Sequence, residues 1–175
     1  MKRTIGLWQF SGFAFTSISG TLLHFLYEWT GGSKLAALIS GVNESTWEHM
    51  KLLYFPLMIY AIIEYYIVGK GYKCYWCIKL SGTILGLVLI PVIFYTLSGV
   101  FGKTADWINI TIFFVAAALV FIFENKKFKN NKNCTGSARA CLTALIVIGI
   151  LFMLFTFRTP ELEIFRDPIT NSYGI

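Results

Sequence analysis

The chain has 175 residues, 56% of them hydrophobic and only 14% charged, with a net charge of +6. A soluble domain carries about a quarter charged residues, so the surplus apolar surface faces lipid, and the basic balance is not read as a nucleic-acid footprint. The length fits one domain over residues 1–175: an all-α integral membrane protein, multi-pass in the cell membrane, with the bilayer as its first partner.

The first predicted helix covers about residues 5–29. The chain opens Met1-Lys2-Arg3 and turns apolar, as a signal peptide does, and Ser17-Ile18-Ser19 resembles a small-x-small cleavage site. The apolar run continues through Leu22, Leu23, Phe25, Leu26 and Tyr27, a length that spans a bilayer, so the segment reads as an uncleaved transmembrane helix. Gly6, Ser11, Gly12, Ala14, Ser17, Ser19 and Gly20 are small enough to let neighbours approach, which places this helix in the middle of a bundle.

Thr30-Gly31-Gly32 ends the first helix. Residues 33–40 are too short to span and read as a short interfacial helix capped by Ser33, or as a re-entrant turn. The second span covers about 46–68, where Pro56 is expected to kink the helix or free a carbonyl. The third covers about 76–99, with Pro91 as a second kink and Gly82 and Gly86 as a small-xxx-small packing signal. The fourth covers about 106–123, a basic loop follows over 124–139, and the fifth covers about 140–157. Pro160, Asp167-Pro168, Asn171-Ser172 and Gly174 are turn signals, so residues 158–175 form a tail rather than a span.

Five spans can be oriented by counting. An N-in, C-out arrangement puts ten Lys and Arg inside (Lys2, Arg3, Lys70, Lys73, Lys79, Lys126, Lys127, Lys129, Lys132, Arg139) and five outside (Lys34, Lys51, Lys103, Arg158, Arg166), the direction of the positive-inside rule. Trp29, Trp47 and Trp107 then fall at outer boundaries and Trp8 and Trp76 at inner ones, as an aromatic belt requires. The C-terminus is expected outside the cell.

The polar residues concentrate at the outer end. His24 and Glu28 are four apart and share a helix face. His24 lies about 7 Å deeper than Trp29, at 1.5 Å per residue, a depth at which an imidazole faces protein or trapped water. The next span opens Asn43-Glu44-Ser45-Thr46-Trp47-Glu48-His49-Met50-Lys51. Ser45 and Glu48 fit a capping box, and Lys51 sits three residues beyond Glu48 to pair with it. Capping leaves Glu44 and His49 unexplained. His24, Glu28, Glu44, Glu48 and His49 are therefore the ligand candidates, with Asn43, Lys51, Asp106, Asp167 and Tyr173 as secondary ones. Converging carboxylates repel unless a cation lies among them. It could be Lys34 or Lys51, a proton, or a divalent metal. Imidazole with carboxylate suits zinc, iron or manganese, with His24, Glu28 and His49 as the expected metal ligands.

Asp106 most simply caps the fourth span, and Glu64 snorkels or pairs with Lys70 or Lys73. Cys74, Cys77, Cys134 and Cys141 lie near cytoplasmic ends, where thiols stay reduced. Cys74-x-x-Cys77 has no second pair of the same spacing and is read as coincidental.

Asn43-Glu44-Ser45-x-Trp47-Glu48-His49-x-Lys51, with Leu23-His24-Phe25-x-Tyr27-Glu28 and the ending Phe165-x-Asp167-Pro168-x-Thr170-x-x-Tyr173-Gly174-Ile175, resembles an uncharacterised family of small polytopic membrane proteins of Gram-positive bacteria, chiefly clostridia and relatives. The resemblance implies a bacterial integral membrane protein and singles out the same polar cluster. It implies no substrate. The favoured function is binding or transport of a small cation or polar solute, with homo-oligomerisation to complete a pathway through so small a bundle. The alternatives are a metal-dependent hydrolase or transferase acting on a lipid or envelope substrate, and a non-catalytic assembly subunit. The tail is expected to fold back over the cluster.

Overall fold

A computed structural model describes residues 2–102, 106–130 and 136–175. Lys103, Lys132 and Cys134 lie outside the described residues, as do the side chains of Lys2, Arg3 and Asp106. The described part is all-helical: α1 (Lys2–Trp29), α2 (Lys34–Ala37), α3 (Thr46–Ile67), α4 (Tyr75–Phe101), α5 (Asp106–Lys129) and α6 (Ala138–Phe157). Single 3-10 turns at Gly69–Gly71 and Glu163–Phe165 complete it. Four helices, α3 to α6, are long and apolar enough to cross a membrane by length and composition. α1 is long enough, but Gln9, Ser11, Thr16, Ser17 and His24 dilute its hydropathy, and it is not among the four.

The centre belongs to α3, not to α1. Thirteen of its residues are buried, including Leu53, Tyr54, Leu57, Tyr60 and Ala61, and α1, α4, α5 and α6 pack around it. The small residues of α1 serve close approach from one side. A Cβ at Gly12 would collide with Phe121 and Tyr60, and one at Gly20 would stand 2.5 Å from Phe113. The opposite face of α1 exposes Leu7, Phe10, Ile18, Leu22, Phe25 and Trp29.

Pro56 explains part of the α1–α3 contact. Proline has no N–H to give the carbonyl four residues earlier, here Leu52. That carbonyl oxygen is 2.9 Å from where a Gly20 Cβ would be, so glycine lets the α1 backbone approach the freed acceptor. α3 nonetheless runs unbroken from Thr46 to Ile67. On α4, Gly82 faces the Glu124 carboxylate, and Gly86 faces Val120 and Leu53, so the small-xxx-small pair seats α4 against α5 and α3.

The last helices differ from expectation in two ways. α5 runs to Lys129 rather than ending near Phe123, so Lys126, Lys127 and Lys129 form a helical turn, and Glu124 is a buried helix residue. The ends of α4 and α6 are also covalently tied: Cys77 and Cys141 form a disulfide with Cα atoms 5.0 Å apart, and Cys74 is in a disulfide as well. This corrects the reading of these cysteines as unpaired thiols. The pairing bridges 64 residues, and it follows from α4 and α6 starting side by side.

Candidate functional site

The start of α3 is built by short-range hydrogen bonds. Ser45 caps the helix, its Oγ accepting the Glu48 N–H at 3.4 Å, as serine at this position does. The reciprocal half of a capping box is absent. The Ser45 N–H donates instead to Asn43 Oδ1 at 3.0 Å, and the Glu48 side chain reaches back to accept the Val42 N–H at 3.2 Å. This locked turn holds Glu44 one residue before the cap and His49 in the first turn of α3.

Both imidazoles face Glu44. His24 Nε2 is 3.5 Å from Glu44 Oε1, and His49 Nε2 is 3.6 Å from Glu44 Oε2. The two rings are 5.8 Å apart between centroids. His49 Nδ1 lies 3.0 Å from the Ser45 carbonyl, which can only accept, so Nδ1 carries the proton. In the neutral ring, Nε2 therefore presents a lone pair toward a carboxylate oxygen. Two acceptors face each other there, and they call for a cation or a proton between them.

The cluster opens on a cavity of about 340 Å³. Its polar end is His24, Glu44, His49, Thr21 and Asn109, and its walls are Phe25, Leu52, Ile110, Phe113, Phe114 and Ile169. A recess of about 20 Å³ reaches from Glu44 and His49 toward Ile90 and Phe94. The three side chains are partly exposed, so solvent has access to them.

The other sequence candidates go elsewhere. Glu28 is exposed on the last turn of α1 and takes no part in the ion pairs or side-chain hydrogen bonds found among the described residues. Glu48 is buried and pairs with Lys51 at 2.5 Å. Lys51 Nζ also donates to the Ala37 carbonyl at 2.9 Å and to Thr156 Oγ1 at 2.8 Å. Three acceptors thus match the three ammonium protons, which is how a buried charge is tolerated. This group locks α2, α3 and α6 together. Asn43 Nδ2 donates to the Gly174 carbonyl at 3.0 Å. Asp167 builds the tail's turn, its Oδ1 accepting the Ile169 and Thr170 N–H groups at 2.7 and 3.3 Å. Tyr173 forms an isolated antiparallel bridge with Arg166. Asp106 begins α5, with its side chain outside the described residues. The tail therefore folds back onto the α3 start, and Ile169 lines the cavity.

Among the described residues, no three His, Cys, Asp or Glu side chains already stand in a metal-holding arrangement. Glu64 neither snorkels nor pairs with Lys70 or Lys73: it is fully buried against Lys79, which also meets Glu124. Lys79 had been counted as a topology charge and Glu124 as the start of a loop.

Four helices long and apolar enough to span a membrane, in an all-helical described part, point to the membrane-protein class. Within it, the chain belongs to DUF6512, a family of unknown function whose model matches residues 2–175. No curated protein and no solved structure matches it.

Proposed function

We propose that this is a five-span bacterial membrane protein, N-in and C-out, that binds a small divalent cation through His24, Glu44 and His49 at its outer end. The observation that carries the reading is the approach of both Nε2 atoms to the two oxygens of one carboxylate, at 3.5 and 3.6 Å. These separations are too long for hydrogen bonds. They match two donors on one ion, since ligands each about 2.1 Å from a tetrahedral centre stand roughly 3.4 Å apart. His49 donating Nδ1–H to a backbone carbonyl is the outer-shell support that metal-bound imidazoles use. The residue types suit zinc, iron or manganese, with Glu44 in the place that sequence reasoning gave to Glu28. The cavity leaves the three side chains room to close on an ion.

The fifth span is supported by α1. Its exposed apolar stripe runs from Leu7 to Trp29, about 33 Å at 1.5 Å per residue, which matches the hydrocarbon thickness of about 30 Å. The Lys and Arg count supports the orientation. In that orientation the Cys77–Cys141 pair faces the cytoplasm, where thiols are kept reduced, so the bond forms on oxidation.

The test is metal analysis of the purified protein after dialysis against each of the three metals. One equivalent of bound metal, lost in both His24→Ala and His49→Ala, is expected. A folded protein that holds no metal would overturn the proposal. The cavity wall favours a second reading. A bare ion does not need about 340 Å³ of mostly apolar space, whereas an amphiphile presenting its polar group to the ion would, as in a metal-assisted hydrolase acting on lipid.

A further inference from the structure

At the basic end of the bundle, Lys79 of α4 lies 2.6 Å from Glu64 Oε2 of α3 and 2.6 Å from Glu124 Oε2 of α5. Both carboxylates are fully buried and Lys79 is 2% exposed. α1 contributes Gln9, whose Nε2 donates to Glu64 Oε1 at 2.6 Å. The rings of Tyr75, Phe121 and Phe128 surround the ammonium at 5.6 to 5.7 Å. Among the described residues, the remaining titratable neighbours are the phenols of Tyr60, Tyr72 and Tyr75, which are uncharged at neutral pH.

Two separate counts come out one proton short. The first is charge: two carboxylates surround one ammonium, so the fully ionised group carries a net negative charge in a dry interior. Such a charge is strongly disfavoured without a partner, and two carboxylates sharing a site resolve it by keeping one proton. The second is hydrogen bonding. The Tyr75 hydroxyl has one proton but faces two oxygens, the Ala61 carbonyl at 2.6 Å and Glu64 Oε2 at 2.9 Å. With its proton on the shorter contact, the Glu64 contact needs a proton from the carboxyl side. Glu124 Oε1 is likewise buried without a hydrogen-bond partner. It points into space that glycine keeps open, since a Cβ at Gly82 would stand 2.5 Å from it.

We propose that Glu64 and Glu124 hold one exchangeable proton between them across Lys79, making this four-helix junction a proton-binding site independent of the histidine cluster. The junction is shallow. Glu124 is five residues from the end of α5, about 8 Å along the axis, so the proton exchanges with the solution on the basic side. Loss of the proton leaves an uncompensated negative charge where α3, α4 and α5 meet, which weakens their contact. Uptake restores it.

Infrared spectroscopy of the protein in phosphatidylcholine nanodiscs, with carbon-13 glutamate labelling, tests the site. A protonated glutamic acid C=O band at neutral pH is expected, sensitive to deuterium exchange and lost on alkalinisation. Glu64→Gln and Glu124→Gln should each abolish it, and Glu28→Gln, at an exposed position, should retain it. Failure to see the band in the parent protein overturns the proposal whatever the variants do. So does a band that survives in both Glu64→Gln and Glu124→Gln, or one removed by Glu28→Gln.

Discussion

Trp47 and Phe165 pack ring against ring with centroids 4.6 Å apart, which fastens the tail to the first turn of the most buried helix. Phe152 and Phe155 of α6 complete the aromatic group around Trp47, at 4.6 and 5.6 Å. Phe165 is 5% exposed, so Phe165→Ala empties a closed site. A loss of about 3 kcal/mol is expected, read as a lower thermal midpoint in detergent, with Trp47 emission moving toward that of a water-exposed indole. Deleting residues 158–175 should do more, because it also removes the Asn43–Gly174 hydrogen bond.

Removing either imidazole should weaken metal binding by more than about 100-fold, the upper end of what loss of an outer-shell partner alone causes. Glu44→Gln should do the same, because it removes the charge shared by both rings. Glu28→Gln should bind as the parent does. Isothermal titration with zinc and with manganese measures all four variants, and retained binding in His49→Ala would remove the cluster from consideration.

Lys51→Met leaves Glu48 buried with no ammonium beside it. Breaking a buried pair from one side costs about 3–5 kcal/mol. Replacing both members by apolar residues removes the stranded charge, so the double variant Glu48→Leu with Lys51→Met should recover most of the loss. Denaturation of the two variants and the parent in the same detergent decides whether this pair is structural, as its three-acceptor geometry implies.

Gly20→Ala puts a Cβ 2.5 Å from the Phe113 ring and 2.9 Å from the Leu52 carbonyl oxygen. The ring can turn but the backbone cannot, so α1 must shift away from α3. Overpacking of this kind costs about 1–3 kcal/mol. Gly20 also lines the cavity, so the shift should lower metal affinity as well as stability. Gly99→Ala, with nothing within 4 Å of the added Cβ, is the control expected to change neither.

The Cys77–Cys141 bond should raise stability by about 2–4 kcal/mol when closed. In intact cells these thiols should react with a membrane-permeant maleimide and become protected after treatment with a thiol oxidant. Protection before any oxidant would place this end of the bundle in an oxidising compartment and reverse the orientation.

The convergence of His24, Glu44 and His49 was legible because helix periodicity and a short connection place α1's end beside α3's start, and because capping explained Ser45 and Glu48 but not Glu44 and His49. Glu28 was harder, since a residue one turn past His24 shares its face but has already left the bundle. Lys79 and Glu124 stayed hidden for a different reason. A charge near a helix end reads as a boundary marker in hydropathy and in charge counting alike, and only packing reveals that these two are enclosed. The disulfide joins residues 64 apart, a pairing set by which helices are neighbours, and nothing in Cys-x-x-Cys spacing indicates it. The central place of α3 was missed because small residues on α1 signal close approach, which occurs at the rim of a bundle as well as in its middle.

The burial of α3 bears on how the chain enters the membrane. It is the least apolar of the four membrane-length helices, and it carries Glu48, Lys51 and Glu64 with partners on α2, α4 and α6. Alone in lipid it would present these groups with half their contacts missing. Synthesis delivers α3 before α4, α5 and α6. The helix is therefore expected to stay at the insertion machinery, beside α1, until the later segments arrive. Truncated chains ending between α3 and α4 should remain bound there instead of partitioning into the bilayer.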